Sequence, residues 1–187
     1  MTRSLALFLT LCLPCTLAGQ DTPLPPLAFL GFEAGTRLTP AAHQVRALGG
    51  RGLRCDRSRR DRAVHECRGT VFAPGSGTAV ELWLSAVDSA AGVLTLSGSI
   101  TGAELEEWKR TLEGAYGVVG ARVQGSQWML QWVRQGRMLR LTWRIERGRT
   151  VASVSLIDGR VLDGWGRARA AAPAPPPAPP AAAGVSP

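Results

Sequence analysis

Two dipeptides, Gln135-Gly136 and Arg147-Gly148, constrain the fold more than any other feature of this chain. Each suits a two-residue β-hairpin, where glycine takes the positive φ that the turn requires. A turn at Gln135-Gly136 sets Val133 against Met138, Trp132 against Leu139, Leu130 against Leu141 and Trp128 against Trp143. A turn at Arg147-Gly148 sets Glu146 against Arg149, Trp143 against Ala152, Leu141 against Val154 and Leu139 against Leu156. Both registers send the same apolar residues to one face, and a one-residue slip in either would destroy that agreement. The spacing therefore predicts a three-stranded antiparallel meander. Its inner face carries Trp128, Leu130, Trp132, Leu139, Leu141, Trp143, Val154 and Leu156. Asp158-Gly159 reads as a further turn, followed by Val161 and Leu162 in a short last strand.

Two helices are marked by their ends. Thr39 before Pro40 reads as an N-cap with proline at the first helical position, and Gly49-Gly50 is the stop. Thr101 and Glu104 form a capping box. Leu105, Trp108, Leu112 and Tyr116 then recur at helical spacing up to Gly117, which makes Trp108 a core residue. Strands are expected near 53–55, 66–72, 79–87 and 93–100. The class is α+β, with two helices packed on antiparallel β-meanders. The stretches 27–100 and 101–166 read as tandem α-β-β-β units or as one undivided domain, and residue identity between them does not decide.

The flanks differ in kind from this domain. Arg3 precedes a leucine-rich run from Leu5 to Leu13, and Thr16-Leu17-Ala18 supplies small residues for cleavage. Residues 1–18 thus read as a signal peptide cleaved near Ala18, too short to span a bilayer comfortably, and imply a secreted or periplasmic product. Residues 19–26 form a lead-in. Residues 167–187, rich in Pro and Ala, have too few large apolar side chains to bury and read as a disordered tail of polyproline II character. Of 4 cysteines, Cys12 and Cys15 fall in the signal. Cys55 and Cys67 remain, and in an oxidising compartment they read as a disulfide; the alternative is two buried free thiols. Closing a loop of this length stabilises a fold by about 3 kcal/mol in the chain-entropy model. Lipidation at Cys15 does not fit, because Pro14 and Cys12 stand where small and leucine residues are needed.

The net charge of +8 comes from arginine, with Lys109 the sole lysine. For an exported chain without a recognised motif, nucleic acid is not an expected partner; anionic lipid or polysaccharide fits better. A zinc site is not expected, because Cys55 and Cys67 read as a disulfide and His43 and His65 stand far apart in the sequence. There is no HExxH, GxSxG or P-loop motif, and Gly50-Arg51-Gly52 leads into a strand, not a helix. A Cys67–His65 catalytic pair would need a free thiolate. The expectation is a non-enzymatic protein without cofactor or metal.

Three features are candidates for binding. The first is the arginine-rich segment between the cysteines, Arg57, Arg59, Arg60 and Arg62, flanked by Arg51, Arg54 and Arg68. It reads as a solvated hairpin loop or as an anion-binding loop fixed by the disulfide. The second is the outer face of the meander, with Met129, Val133, Met138, Arg140, Arg144 and Ile157, either open to a partner or covered by the first half of the chain. The third is Trp83, between Glu81 and Ser85 on the polar side of its strand, which grips a partner or packs under a loop.

Gly35, Thr39, Val45 and Leu48-Gly49 resemble the glycine, capped helix start and leucine-glycine stop of the small outer-membrane-assembly lipoprotein family. The resemblance covers one helix. It implies a fold shared with β-lactamase-inhibitor-like envelope modules, short helices on an antiparallel sheet, and action by binding other proteins. That family's lipidation cysteine has no counterpart in the expected place.

These readings converge on a module that binds an envelope or extracellular protein through a sheet face. The alternative is an anion-binding envelope protein using the Cys55–Cys67 loop for lipid headgroups or polysaccharide. Mass spectrometry of the native product is expected to find an N-terminus near Gly19 and no alkylatable thiol; a product that keeps Met1 with both thiols reactive would contradict export.

Overall fold

The computed structural model describes residues 24–171; the expected signal peptide and most of the expected tail lie outside the described residues. In chain order the elements are β1 (Ala28–Phe29), β2 (Phe32–Glu33), α1 (Leu38–Ala47), β3 (Arg54–Arg57), β4 (Val64–Phe72), β5 (Ala79–Val87) and β6 (Ala90–Ile100). There follow α2 (Gly102–Tyr116), β7 (Arg122–Gln124), β8 (Gln127–Arg134), β9 (Arg137–Glu146), β10 (Arg149–Asp158) and α3 (Gly159–Ala171). β1 and β2 form a small hairpin, and the other strands form one antiparallel sheet of 8 strands in the order β3-β4-β5-β6-β10-β9-β8-β7. The fold is α+β. Among the described residues no helix is long and apolar enough to cross a membrane.

The meander registers are those that the turn dipeptides predict. Val133 pairs with Met138 and Trp128 with Trp143; Ala152 pairs with Trp143 and Leu156 with Leu139. Gly136 and Gly148 both hold positive φ, 74° and 77°, as the tight hairpins require. Each half contributes a helix and then four strands, one more than the expected α-β-β-β unit. The added strand of the second half is β7, an exposed edge of 3 residues, too short for its alternation to be read. The last strands of the two halves meet, β6 against β10, with Leu96 opposite Val154 and Leu94 opposite Leu156.

That pairing merges the two meanders into one apolar layer. Leu84, Leu94, Leu156, Leu139 and Trp132 succeed one another across the strands, and all are buried. Ala41 and Val45 of α1, with Leu105, Trp108 and Leu112 of α2, pack into the same cluster. The β1–β2 hairpin ties the helices together. Phe29 stands edge-on to Trp108 at 5.0 Å, the Tyr116 hydroxyl accepts the Ala28 N–H, and the Gln44 amide donates to the Leu30 carbonyl.

The first helix begins earlier than its sequence suggests. Arg37, not Thr39, occupies the N-cap, without a side-chain hydrogen bond. Tertiary contacts override the local signal, since Arg37 bridges to Ala90 and the Leu38 N–H donates to the Ser89 carbonyl. Its glycine stop is as expected. The Gly49 N–H reaches the Arg46 carbonyl and the Gly50 N–H the Val45 carbonyl, the two bonds of a Schellman motif.

A third helix replaces the expected last strand, so Val161 and Leu162 are helical. Asp158 is the cause. Its carboxylate accepts the Arg160 N–H at 3.0 Å, capping a new helix where a turn was expected. The same carboxylate pairs with Arg137 at 2.8 Å and with the Arg160 side chain at 3.3 Å. Burial alone would raise the Asp158 pKa, but the hydrogen bonds and charges of Arg160 and Arg137 outweigh it and hold the group ionised. Leu162 then seats over Gly92, where a Cβ would lie 2.6 Å from it. Trp165 donates its indole N–H to Asp61 in the β3–β4 connection at 2.8 Å. α3 runs to Ala171, so the boundary expected at 166/167 falls inside it.

The second helix starts where its capping box predicts, with the Thr101 N–H on Glu104 and the Glu104 N–H on the Thr101 hydroxyl. Glu104 also binds the β4–β5 connection. Hydrogen bonds from the Ser76 hydroxyl, the Thr101 N–H and the Thr78 hydroxyl lower its pKa from 4.5 to about 2. A depressed pKa means that this stabilisation is complete above the ordinary value of 4.5 and is lost as the pH falls through about 2. Replacing a charged acceptor by a neutral one weakens such bonds by about 1 kcal/mol. Glu104→Gln is therefore expected to lower the melting temperature at pH 7 by roughly 2–4 °C. The gap should close as melts are repeated from pH 4.5 down to pH 2; a constant gap would show that the carboxylate charge contributes nothing.

Candidate functional site

The side chains that alternate with the core residues form the outer face of the sheet, and α1 and α2 do not lie on it. The first half of the chain does not fold over the meander; it extends the meander edge to edge through β6 and β10. One outer row runs Arg54, Arg68, Trp83, Thr95, Ser155, Arg140 and Gln131 across the strands. None of these is fully buried. The centre of the face is hydroxylic: Thr95 and Ser97 on β6, Ser153 and Ser155 on β10, Thr142 on β9, with Thr95 and Ser155 hydrogen-bonded at 3.1 Å. α3 covers the end of this face near Gly92.

The expected outer residues of the meander occupy this face. Val133, Met138 and Ile157 stand in one cross-strand row, and Val133 is 61% exposed. Met129 lies beside Thr142 and Arg144 beside Val151. Arg140 is held in place, donating to the Gln131 side chain at 3.1 Å and reaching the Met138 sulfur. Arg144 pairs with Glu146 at the margin.

Trp83 lies on the same face, half-buried, between Arg68 and Thr95. It borders a cleft of about 870 Å³ formed by the outer side of β4 and β5, the end of α1 and the segment 49–53. Arg46, Arg51, Arg54 and Arg68 line this cleft, with Glu81 as its one acidic residue and Phe72 exposed at its border. The expected loop arginines lie elsewhere. Arg57 ends β3 and donates to His65, while Arg59, Arg60 and Arg62 are exposed in the connection beyond it; none of the four lines the cleft. That connection is itself anchored. The indole of Trp165 and the N–H of Ala63 hold the Asp61 carboxyl below its ordinary pKa, and Arg169 lies 3.7 Å from it.

The Cys55–Cys67 disulfide joins β3 to β4, with the two residues directly opposite each other in the sheet. Arg54 and Arg68, one step along each strand, are therefore also directly opposite, on the outer face. Like charges so placed repel. This pair and the cleft around it were legible only as flanking arginines, because Arg46 reaches the site through the docking of α1, which a linear reading does not contain. Alternation about a Cys55–Cys67 pairing was the signal available for Arg54 and Arg68. Among the described residues no three His, Cys, Asp or Glu side chains converge as a metal site.

Comparisons with protein-family models, with curated proteins and with solved structures returned no match. Removing the crosslink tests how firmly this edge is held. Cys55→Ser with Cys67→Ser is expected to reduce unfolding free energy by about 2–4 kcal/mol in a denaturant titration; an unchanged midpoint would show that β3 is held by other contacts.

Proposed function

We propose that the chain is a secreted or periplasmic, non-enzymatic module that binds a protein partner through the outer face of its sheet. The observation that carries this reading is the eight-stranded face left open by α1 and α2. Small hydroxylic side chains at its centre let a partner surface approach the backbone closely. Arginine, methionine and tryptophan around them are residue types enriched at protein interfaces. Arg140, fixed by Gln131, loses little side-chain freedom on contact. The disulfide fits an oxidising compartment, which supports export.

A second reading has one supporting observation: Arg59, Arg60 and Arg62 are exposed together beside the disulfide and suit a lipid headgroup or an anionic polysaccharide. Salt separates the two, because binding through exposed charge weakens steeply with ionic strength.

The test uses the mature chain as bait on its own envelope and external fractions. Val133→Glu with Arg140→Glu is expected to lose the captured protein by at least tenfold while keeping the wild-type melting profile. Val123→Glu, on the opposite face, is expected to retain it. Retention by the Val133/Arg140 variant, or recovery of lipid or polysaccharide alone, would overturn the reading.

A further inference from the structure

We infer that the cleft walled by Arg54 and Arg68 is a receptor for an acidic, aromatic-containing peptide segment of the partner. This inference rests on the protein-binding reading above and names the chemistry of what that face takes. Three observations carry it. First, four arginines, Arg46, Arg51, Arg54 and Arg68, line one cleft of about 870 Å³. Among the described residues none of them forms an ion pair, although six such pairs occur elsewhere there. Four unpaired cations facing one space raise its potential and favour an anion entering it.

Second, Arg54 and Arg68 are held directly opposite each other. Two like charges in that position destabilise a sheet, so the pair opposes the fold that contains it. The disulfide at the adjacent residues keeps the pairing closed against this repulsion. A carboxylate seated between the two guanidiniums would form charge-assisted hydrogen bonds with both and relieve the repulsion. This arrangement is costly in the free chain and favourable only when an anion is bound.

Third, the remainder of the cleft is not built for a compact anion. Trp83 and Phe72 supply aromatic surface, Phe72 with 44% of its area exposed. Glu81 lies between Thr70 and Ser97 across the strands, inside the same cleft. A carboxylate there repels a densely charged phosphate or sulfated chain, but accepts an N–H from a ligand that carries donors as well as acids. A peptide with acidic and aromatic side chains meets all three conditions. The cleft also continues into the hydroxylic outer face through Trp83 and Ser97, so a segment bound in it remains joined to a protein docked on that face.

The test is fluorescence anisotropy on the oxidised mature chain with a labelled peptide of alternating Glu and Tyr, and with a Gln/Tyr peptide as control. The Glu/Tyr peptide is expected to bind, to weaken as salt is raised, and to outbind the Gln/Tyr peptide at least tenfold. Arg54→Ala with Arg68→Ala is expected to reduce that binding at least tenfold while leaving the melting temperature equal or higher, because repulsion is removed. Arg59→Ala with Arg60→Ala is expected to bind as the wild type does. Equal binding of both peptides, wild-type affinity in the Arg54/Arg68 variant, or a lowered melting temperature in that variant would overturn the inference. So would inorganic phosphate or phosphatidylglycerol vesicles displacing the peptide at lower concentration than unlabelled Glu/Tyr peptide. If the inference fails while the Val133/Arg140 variant still loses the captured protein, the face binds protein and the cleft does not serve it.

Discussion

The antiparallel pairing of β6 with β10 is the contact on which the rest of the molecule depends. Each half of the chain alone has a four-stranded meander, and a meander of that size leaves strand edges with unpaired backbone groups. Joining the two at their last strands buries those edges and aligns Leu94 with Leu156 and Leu96 with Val154. Because strand side chains alternate, this alignment assigns every residue in the sheet to one of two faces at once. The inner face is paved with leucine and valine and takes both α1 and α2. The outer face is left with hydroxyls, arginines and a tryptophan, and among the described residues α3 reaches over its end.

The second half was far more legible in the sequence than the first. Gln135-Gly136 and Arg147-Gly148 determine their registers through turn geometry, which is local. The β5–β6 turn falls at Asp88-Ser89, where two residues other than glycine hold positive φ, so no dipeptide announces it. α3 was missed for a different reason. Asp158-Gly159 has the composition of a turn, and only the pairing of Asp158 with Arg137 and Arg160 turns it into a helix cap. The start of α1 likewise obeys the bridge between Arg37 and Ala90, not the Thr39-Pro40 signal.

The same distinction explains the candidate site. Residues on the meander's outer face were identifiable because their registers were. That this face is open depends on where the first half goes, which is decided by the seam. The arginine cluster shows the limit most clearly. Counting charge between the cysteines draws attention to Arg57, Arg59, Arg60 and Arg62, the exposed members. The paired strands β3, β4 and β5 and the end of α1 instead bring Arg46, Arg51, Arg54 and Arg68 to one cleft with Trp83. A covalent link that holds like charges opposite each other is a tertiary arrangement, visible once Cys55 and Cys67 are known to face one another.

One face of this sheet is a core, and the other is the proposed docking surface. Oxidative footprinting tests it with native reporters, since Trp83, Met129 and Met138 all point outward and none is fully buried. The account predicts that these three are oxidised readily in the free chain and protected once the proposed protein partner is bound, while Trp108 and Trp132 stay unreactive in both states. Outward residues that are inert in the free chain, or that remain reactive in the complex, would contradict it.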